Sequence, residues 1–162
     1  MTITPGYGTE QLHLRQESSD LLKRFGHPAK RRKSDGFREY WLYPKDGFEC
    51  IVSTRSGLVL SVFLKASSHA GDDESEPAFG ANEEAVLQAY SKPALEGGGF
   101  KTSTGTFVGR WFSYDSGIGF HFDDSGRVET IAVFAAKRRR KPRVATSDRR
   151  VESRGIAALR RT

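Results

Sequence analysis

A chain of 162 residues with 36% hydrophobic and 11% aromatic content can build one ordinary domain, or two very small ones, around a packed core. Its formal charge of +6 is lopsided: residues 137–162 hold eleven Lys and Arg against two acids, so that segment carries +9 and residues 1–136 about −3, which removes the electrostatic basis for nucleic-acid binding by the body. One cysteine, Cys50, excludes an intramolecular disulfide and a thiolate-only metal site, and no run approaches the ~18 consecutive apolar residues of a membrane helix.

The start, MTITPGYGTEQ, lacks the basic and then apolar regions of a secretion signal, so the expected compartment is the cytoplasm. Leu21, Leu22 and Phe25 have the i, i+1, i+4 spacing of one face of a short helix, which Pro28 must end. Strand-like runs rich in β-branched and aromatic residues follow at Phe37 to Tyr43, Phe48 to Ser53 and Leu58 to Leu64, with a turn at Pro44 to Gly47. Cys50, beside Ile51 and Val52, reads as a buried thiol. The segment ASSHAGDDESEP, Ala66 to Pro77, reads as an exposed acidic linker.

A second helix is expected from Val86, Leu87 and Tyr90, with Asn82 as its N-cap, Glu83 and Glu84 in its first turn, and Pro93 beyond its end. Strands are expected at Thr106 to Tyr114, Ile118 to Phe122 and Arg127 to Phe134, with hairpin turns at Asp115 to Gly117 and Asp123 to Gly126. Strand alternation sets Ile118, Phe120 and Phe122 on one face and Gly119 and His121 on the other. Beyond Phe134 the apolar alternation stops, and residues 137–162 have too few large apolar groups to offset the entropy of ordering, so a disordered basic tail is expected.

The two halves repeat each other. Leu21 to Pro28 aligns with Val86 to Pro93 at an offset of 65, Trp41 with Trp111 and Gly47 with Gly117 at 70, and Gly57-Leu58-Val59 with Gly126-Arg127-Val128 at 69. The expected organisation is therefore α+β: two tandem repeats, residues 1–65 and 78–136, each a short helix packed on a small antiparallel sheet, joined by residues 66–77 and followed by the tail, 137–162.

Phe25-Gly26-His27-Pro28, the aromatic strands and GIGFHFDDSGRVETIAVF (Gly117 to Phe134) resemble the β-lactamase inhibitor protein fold and the related small outer-membrane assembly lipoproteins. The resemblance runs over about Ile3 to Phe134. It implies tandem helix-on-sheet units and a protein-binding role, with neither a target nor an inhibitory residue carried over. Ser91 departs from the pattern by standing where the first copy has Gly26, and the chain lacks the disulfides of the inhibitors.

Catalytic and metal constellations are missing from the sequence. His13, His27, His69 and His121 lie in four separate segments without helical metal-site spacing, Asp123-Asp124-Ser125-Gly126 lacks the closing Glu of a calcium loop, and Cys50 has no activating base nearby. Gly97-Gly98-Gly99 lacks the Lys and helix of a phosphate loop, and no G-x-S-x-G or HExxH is present. The expected function is non-catalytic protein binding without cofactor or metal, of inhibitor, immunity or assembly-factor type, through a sheet face and hairpin loops. Tyr40, Trp41, Tyr43, Trp111, Tyr114 and His121 are the candidate contacts, although core packing is the competing role for the aromatics. The alternative is nucleic acid or another polyanion bound by Lys137, Arg138, Arg139, Arg140, Lys141 and Arg143.

Overall fold

In the computed structural model, residues 2–66 and 79–137 are described. The linker over residues 67–78 and the tail over residues 138–162 lie outside the described residues.

Helix α1 (Ser18–Phe25) turns Leu21 and Phe25 inward and ends at Gly26, whose φ of 73° lets the chain leave sharply before Pro28. Helix α2 (Glu83–Tyr90) starts at Asn82, whose Oδ1 accepts from the Ala85 N–H at 2.9 Å, and buries Val86. It ends at Ser91, held at φ 64° and ψ −153° in the role Gly26 plays for α1. That backbone region is nearly exclusive to glycine and costs roughly 1–3 kcal/mol for other residues. Ser91→Gly should therefore raise stability by about 1 kcal/mol, net of the greater chain entropy glycine loses on folding, read as a shift of the urea midpoint at constant slope.

The strands are β1 (Lys30–Lys33), β2 (Arg38–Tyr43), β3 (Phe48–Ser53), β4 (Val59–Lys65), β5 (Leu95–Gly97), β6 (Phe100–Lys101), β7 (Phe107–Val108), β8 (Trp111–Tyr114), β9 (Ile118–Phe122) and β10 (Val128–Phe134). Eight form one antiparallel sheet in the order β1-β2-β3-β4-β10-β9-β8-β5. The fold is thus mixed α+β, and in place of a small sheet per half there is one continuous sheet, closed at its centre by β4 against β10. The run expected as Thr106 to Tyr114 is two strands. β5–β6 and β7–β8 make one hairpin in a single register, broken where Gly98 packs against the Gly109 carbonyl too closely for any Cβ.

The two halves share several local hydrogen bonds. Glu17 bridges to Leu58 and Asn82 to Arg127; the Val59 N–H donates to Gln16 O and the Val128 N–H to Ala81 O. Tyr43 Oη donates to Gly26 O, and Tyr114 Oη to Ser91 O. Tyr43 therefore matches Tyr114, an offset of 71, and the expected pairing of Trp41 with Trp111 is one residue out. Trp41 corresponds to Phe112 and Tyr40 to Trp111. In a strand a slip of one residue exchanges faces, so Trp41 and Trp111 point opposite ways.

One face of the sheet is the core. Its rows run Tyr43, Phe48, Leu64, Ile131, Phe120, Phe112 and Trp41, Cys50, Val62, Val133, Ile118, Tyr114, all buried. Phe25 of α1 meets the rings of Tyr43 and Phe48, and Tyr90 of α2 meets those of Tyr114 and Phe120. Ile3 and Phe79 touch both apolar clusters and join them.

Candidate functional site

The opposite face lies on the side away from both helices. Reading the registers across it gives Leu42, Glu49, Phe63, Ala132, Gly119, Ser113, Leu95 as a central row. Tyr40, Ile51, Ser61 and Phe134 flank it on one side, and Lys65, Thr130, His121 and Trp111 on the other. Tyr40, Leu42, Ile51, Phe63, Trp111 and Phe134 are half-buried and Leu95 is exposed, so the face presents apolar area that no described helix covers.

Two glycines flatten it. A Cβ on Gly97 would stand 2.8–2.9 Å from the Trp111 ring, and one on Gly119 would stand 3.4 Å from the Phe134 ring, so both rings lie down over strand backbone. Glu49 is paired to Lys65 at 3.6 Å. His121 stands at the surface beside Lys65, and partial desolvation by the sheet, with Lys65 adding to it, pushes its imidazole below the ordinary value.

The six aromatic and histidine positions singled out from sequence divide between the faces. Tyr40, Trp111 and His121 belong to the open face. Trp41, Tyr43 and Tyr114 are corrected to core residues, 5%, 3% and 6% exposed, because the helices lie on their side of the sheet. Burial raises the Tyr43 phenol to about 12 and, together with the charges of Tyr90 and Glu96, raises that of Tyr114, so both stay protonated donors to the backbone. Missed altogether were Leu42, Ile51, Phe63 and Phe134, whose exposure depends on which face the helices choose.

The remaining candidates are placed as follows. Cys50 is fully buried, and desolvation pushes its thiol up to about 12, far from the thiolate that reactivity requires. Asp123 accepts at Oδ1 from the N–H groups of Ser125 and Arg127 and from Ser125 Oγ, which holds its carboxyl below the usual range and fixes the β9–β10 turn. Lys137 Nζ lies 3.2 Å from Asp115; Arg138, Arg139, Arg140, Lys141 and Arg143 lie outside the described residues. Among the described residues no group of three or more His, Cys, Asp or Glu could hold a metal, and no helix is long and apolar enough to cross a membrane.

No family model matches this sequence, and no curated protein does. Among solved structures, the DUF4309 family protein YjgB from Bacillus subtilis is similar over 80% of this chain and 88% of its own, with 14% identity and a TM-score of 0.52. A cysteine-rich secretory protein from Staphylococcus aureus (14% identity, TM-score 0.49) and an extracellular SCP-domain protein from Bacillus anthracis (14%, 0.48) cover 82% and 75% of this chain. The chain spans under half the length of those two, 46% and 44%. At this identity the likeness to YjgB is one of fold.

Proposed function

We propose that the chain is a non-catalytic protein-binding module made of two related helix-and-strand units, which grips a partner with the open face of the joined sheet and the hairpin turns at its ends. The observation that carries this reading is the open face itself: six half-buried apolar side chains on a rigid eight-stranded platform, opposite a face sealed by both helices. The recurring hydrogen bonds of the two halves support the duplicated unit, and the resemblance to inhibitor proteins supports a sheet that meets another protein. Large rings fixed in place before contact cost little entropy to bind with, which is why such side chains concentrate binding energy.

The test compares a chain ending at Lys137 with the same chain carrying Phe63→Asp and Phe134→Asp, and sets the full chain with and without those substitutions beside them, all immobilised against extracts of the source cells. A protein held by the first and weakened about thirtyfold or more in the second, the loss of roughly 2 kcal/mol expected at a central anchor, is the expected result. Partners that ignore the double substitution yet vanish when residues 138–162 are removed would refute it.

A further inference from the structure

We propose that the free edge of β1 takes an acidic, extended segment of the partner protein as a ninth strand; this rests on the protein-binding reading and names where and with what chemistry the partner attaches. β1 pairs with β2 alone and forms one outer edge of the sheet. The Ser34 N–H donates to Arg38 O, and antiparallel pairs alternate between bonded and non-bonded, so in the register Lys33↔Glu39 and Arg31↔Trp41 the N–H and C=O of Arg31 and Lys33 face away from β2. These are the groups an added strand would meet.

The edge also concentrates charge, and its one cross-strand acid, Glu39 opposite Lys33, accepts at Oε2 from the Trp41 indole N–H at 2.8 Å. Lys30, Arg31, Arg32 and Lys33 are all exposed, and among the described residues none of the four has a carboxylate within 4 Å. The opposite edge differs: Glu96 of β5 is held by Arg110 at 2.6 Å. Lys30 and Arg32 lie on the open face with Leu42 and Tyr40, whereas Arg31 and Lys33 lie on the helix side, with the Arg31 guanidinium 4.1 Å over the Trp41 ring.

That distribution selects the occupant. An incoming strand sends alternate side chains to the two faces, so acids along it find a cation on either side, at the ~5 Å spacing at which cross-strand pairs interact. A nucleic-acid backbone instead follows charge on one face beside a stacking platform. A second copy of β1 would bring four like charges against four, so the edge rejects its own kind.

The experiment uses the full chain and three ten-residue probes: a Glu-Thr peptide of repeating Glu-Glu-Thr-Thr, which puts acids on both faces of a strand, a Lys-Thr peptide of repeating Lys-Lys-Thr-Thr, and oligo-dT. The Glu-Thr peptide is expected to bind, to weaken as salt rises, and to slow hydrogen exchange at the Arg31 and Lys33 amides at least tenfold while leaving β5 unchanged. Arg32→Glu should lower its affinity tenfold or more. Lys33→Pro should bind more weakly than Lys33→Gln, since both lose the charge and only proline loses the outward N–H. The exchange measurement on the unaltered chain stands whether or not the proline variant folds.

Failure of the Glu-Thr peptide to bind, binding without slower exchange at Arg31 and Lys33, or tighter binding of oligo-dT overturns the proposal. If that happens while Phe63→Asp with Phe134→Asp still releases a partner, the edge is retired and the open-face reading stands; if those substitutions release nothing, the underlying reading falls instead.

Discussion

Phe120→Ala should destabilise the chain by about 3–5 kcal/mol, lowering the urea midpoint, with both halves unfolding together. Phe120 is fully buried in the middle of β9, between Ile131 of β10 and Phe112 of β8, and its ring lies 5.2 Å from that of Tyr90 and 6.1 Å from that of Tyr114. Truncation leaves a cavity beneath α2. That short helix buries only Val86 and leans on Tyr90, so it has few other contacts with which to close the gap. Cooperative loss across both halves is expected because β4–β10 pairing and the shared contacts of Ile3 and Phe79 tie the two clusters together. Phe63→Ala, on the open face, removes a ring of the same size with partial exposure and should cost less than half as much. Equal costs at the two positions would mean that the open face is covered in solution.

Gly117→Ala should cost about 2–5 kcal/mol for the addition of a single methyl group. Gly117 has φ +89°, a conformation that costs an L-residue energy whatever the space around it. Here there is no space. A Cβ would overlap the Phe134 carbonyl and come within 2.7 Å of Gly6 Cα and 2.9 Å of Ala136 N. Gly117 O accepts from the Gly6 and Phe134 N–H groups, so the turn is the point at which the first residues of the chain, the β8–β9 hairpin and the end of β10 are pinned together. Denaturant titration gives the cost, and faster amide exchange at Gly6 and Phe134 in the variant would place the damage at this knot. Gly126→Ala is the matched control. Gly126 also has positive φ, but a Cβ there would meet no atom within 4 Å, so only the backbone strain should appear.

The strands that sequence reading delimited best are those in which side chains alone decide the conformation. Phe48–Ser53 and Ile118–Phe122 match residue for residue, because β-branched and aromatic residues alternate and clear turn formers bound them. The helix at α2 and its Asn82 cap were legible for the same reason. β1 was not: Lys-Arg-Arg-Lys has no apolar alternation, and its conformation comes from the partner strand alone. β5 and β6, three and two residues long on either side of Gly98-Gly99, are too short to show an alternation and escaped for similar reasons.

The aromatic site was half legible. Alternation fixes that Trp41 and Tyr40 must face opposite ways, but only the side on which α1 packs decides which of them is open. The slip between Trp41 and Trp111 followed from aligning by residue identity, when the hydrogen bonds of Tyr43 and Tyr114 set the correspondence. Net charge misled in its own way. A sum of about −3 over residues 1–136 hides four adjacent cations on one strand, since charge acts over roughly a Debye length of 8–10 Å and not over a whole domain.

The joint between β4 and β10 bears on how the chain comes into being on the ribosome. β4 reads Val-Leu-Ser-Val-Phe-Leu-Lys, and its outer neighbour, β10, ends 69 residues later, Lys65 to Phe134. At ordinary synthesis rates that interval lasts on the order of 3 to 14 s, during which a nearly uncharged apolar strand is left without its second neighbour in the emerging polypeptide. Slowing translation between codons 66 and 134 should lengthen that window and raise the insoluble fraction, while the mature sheet, once joined, hides the strand from further pairing.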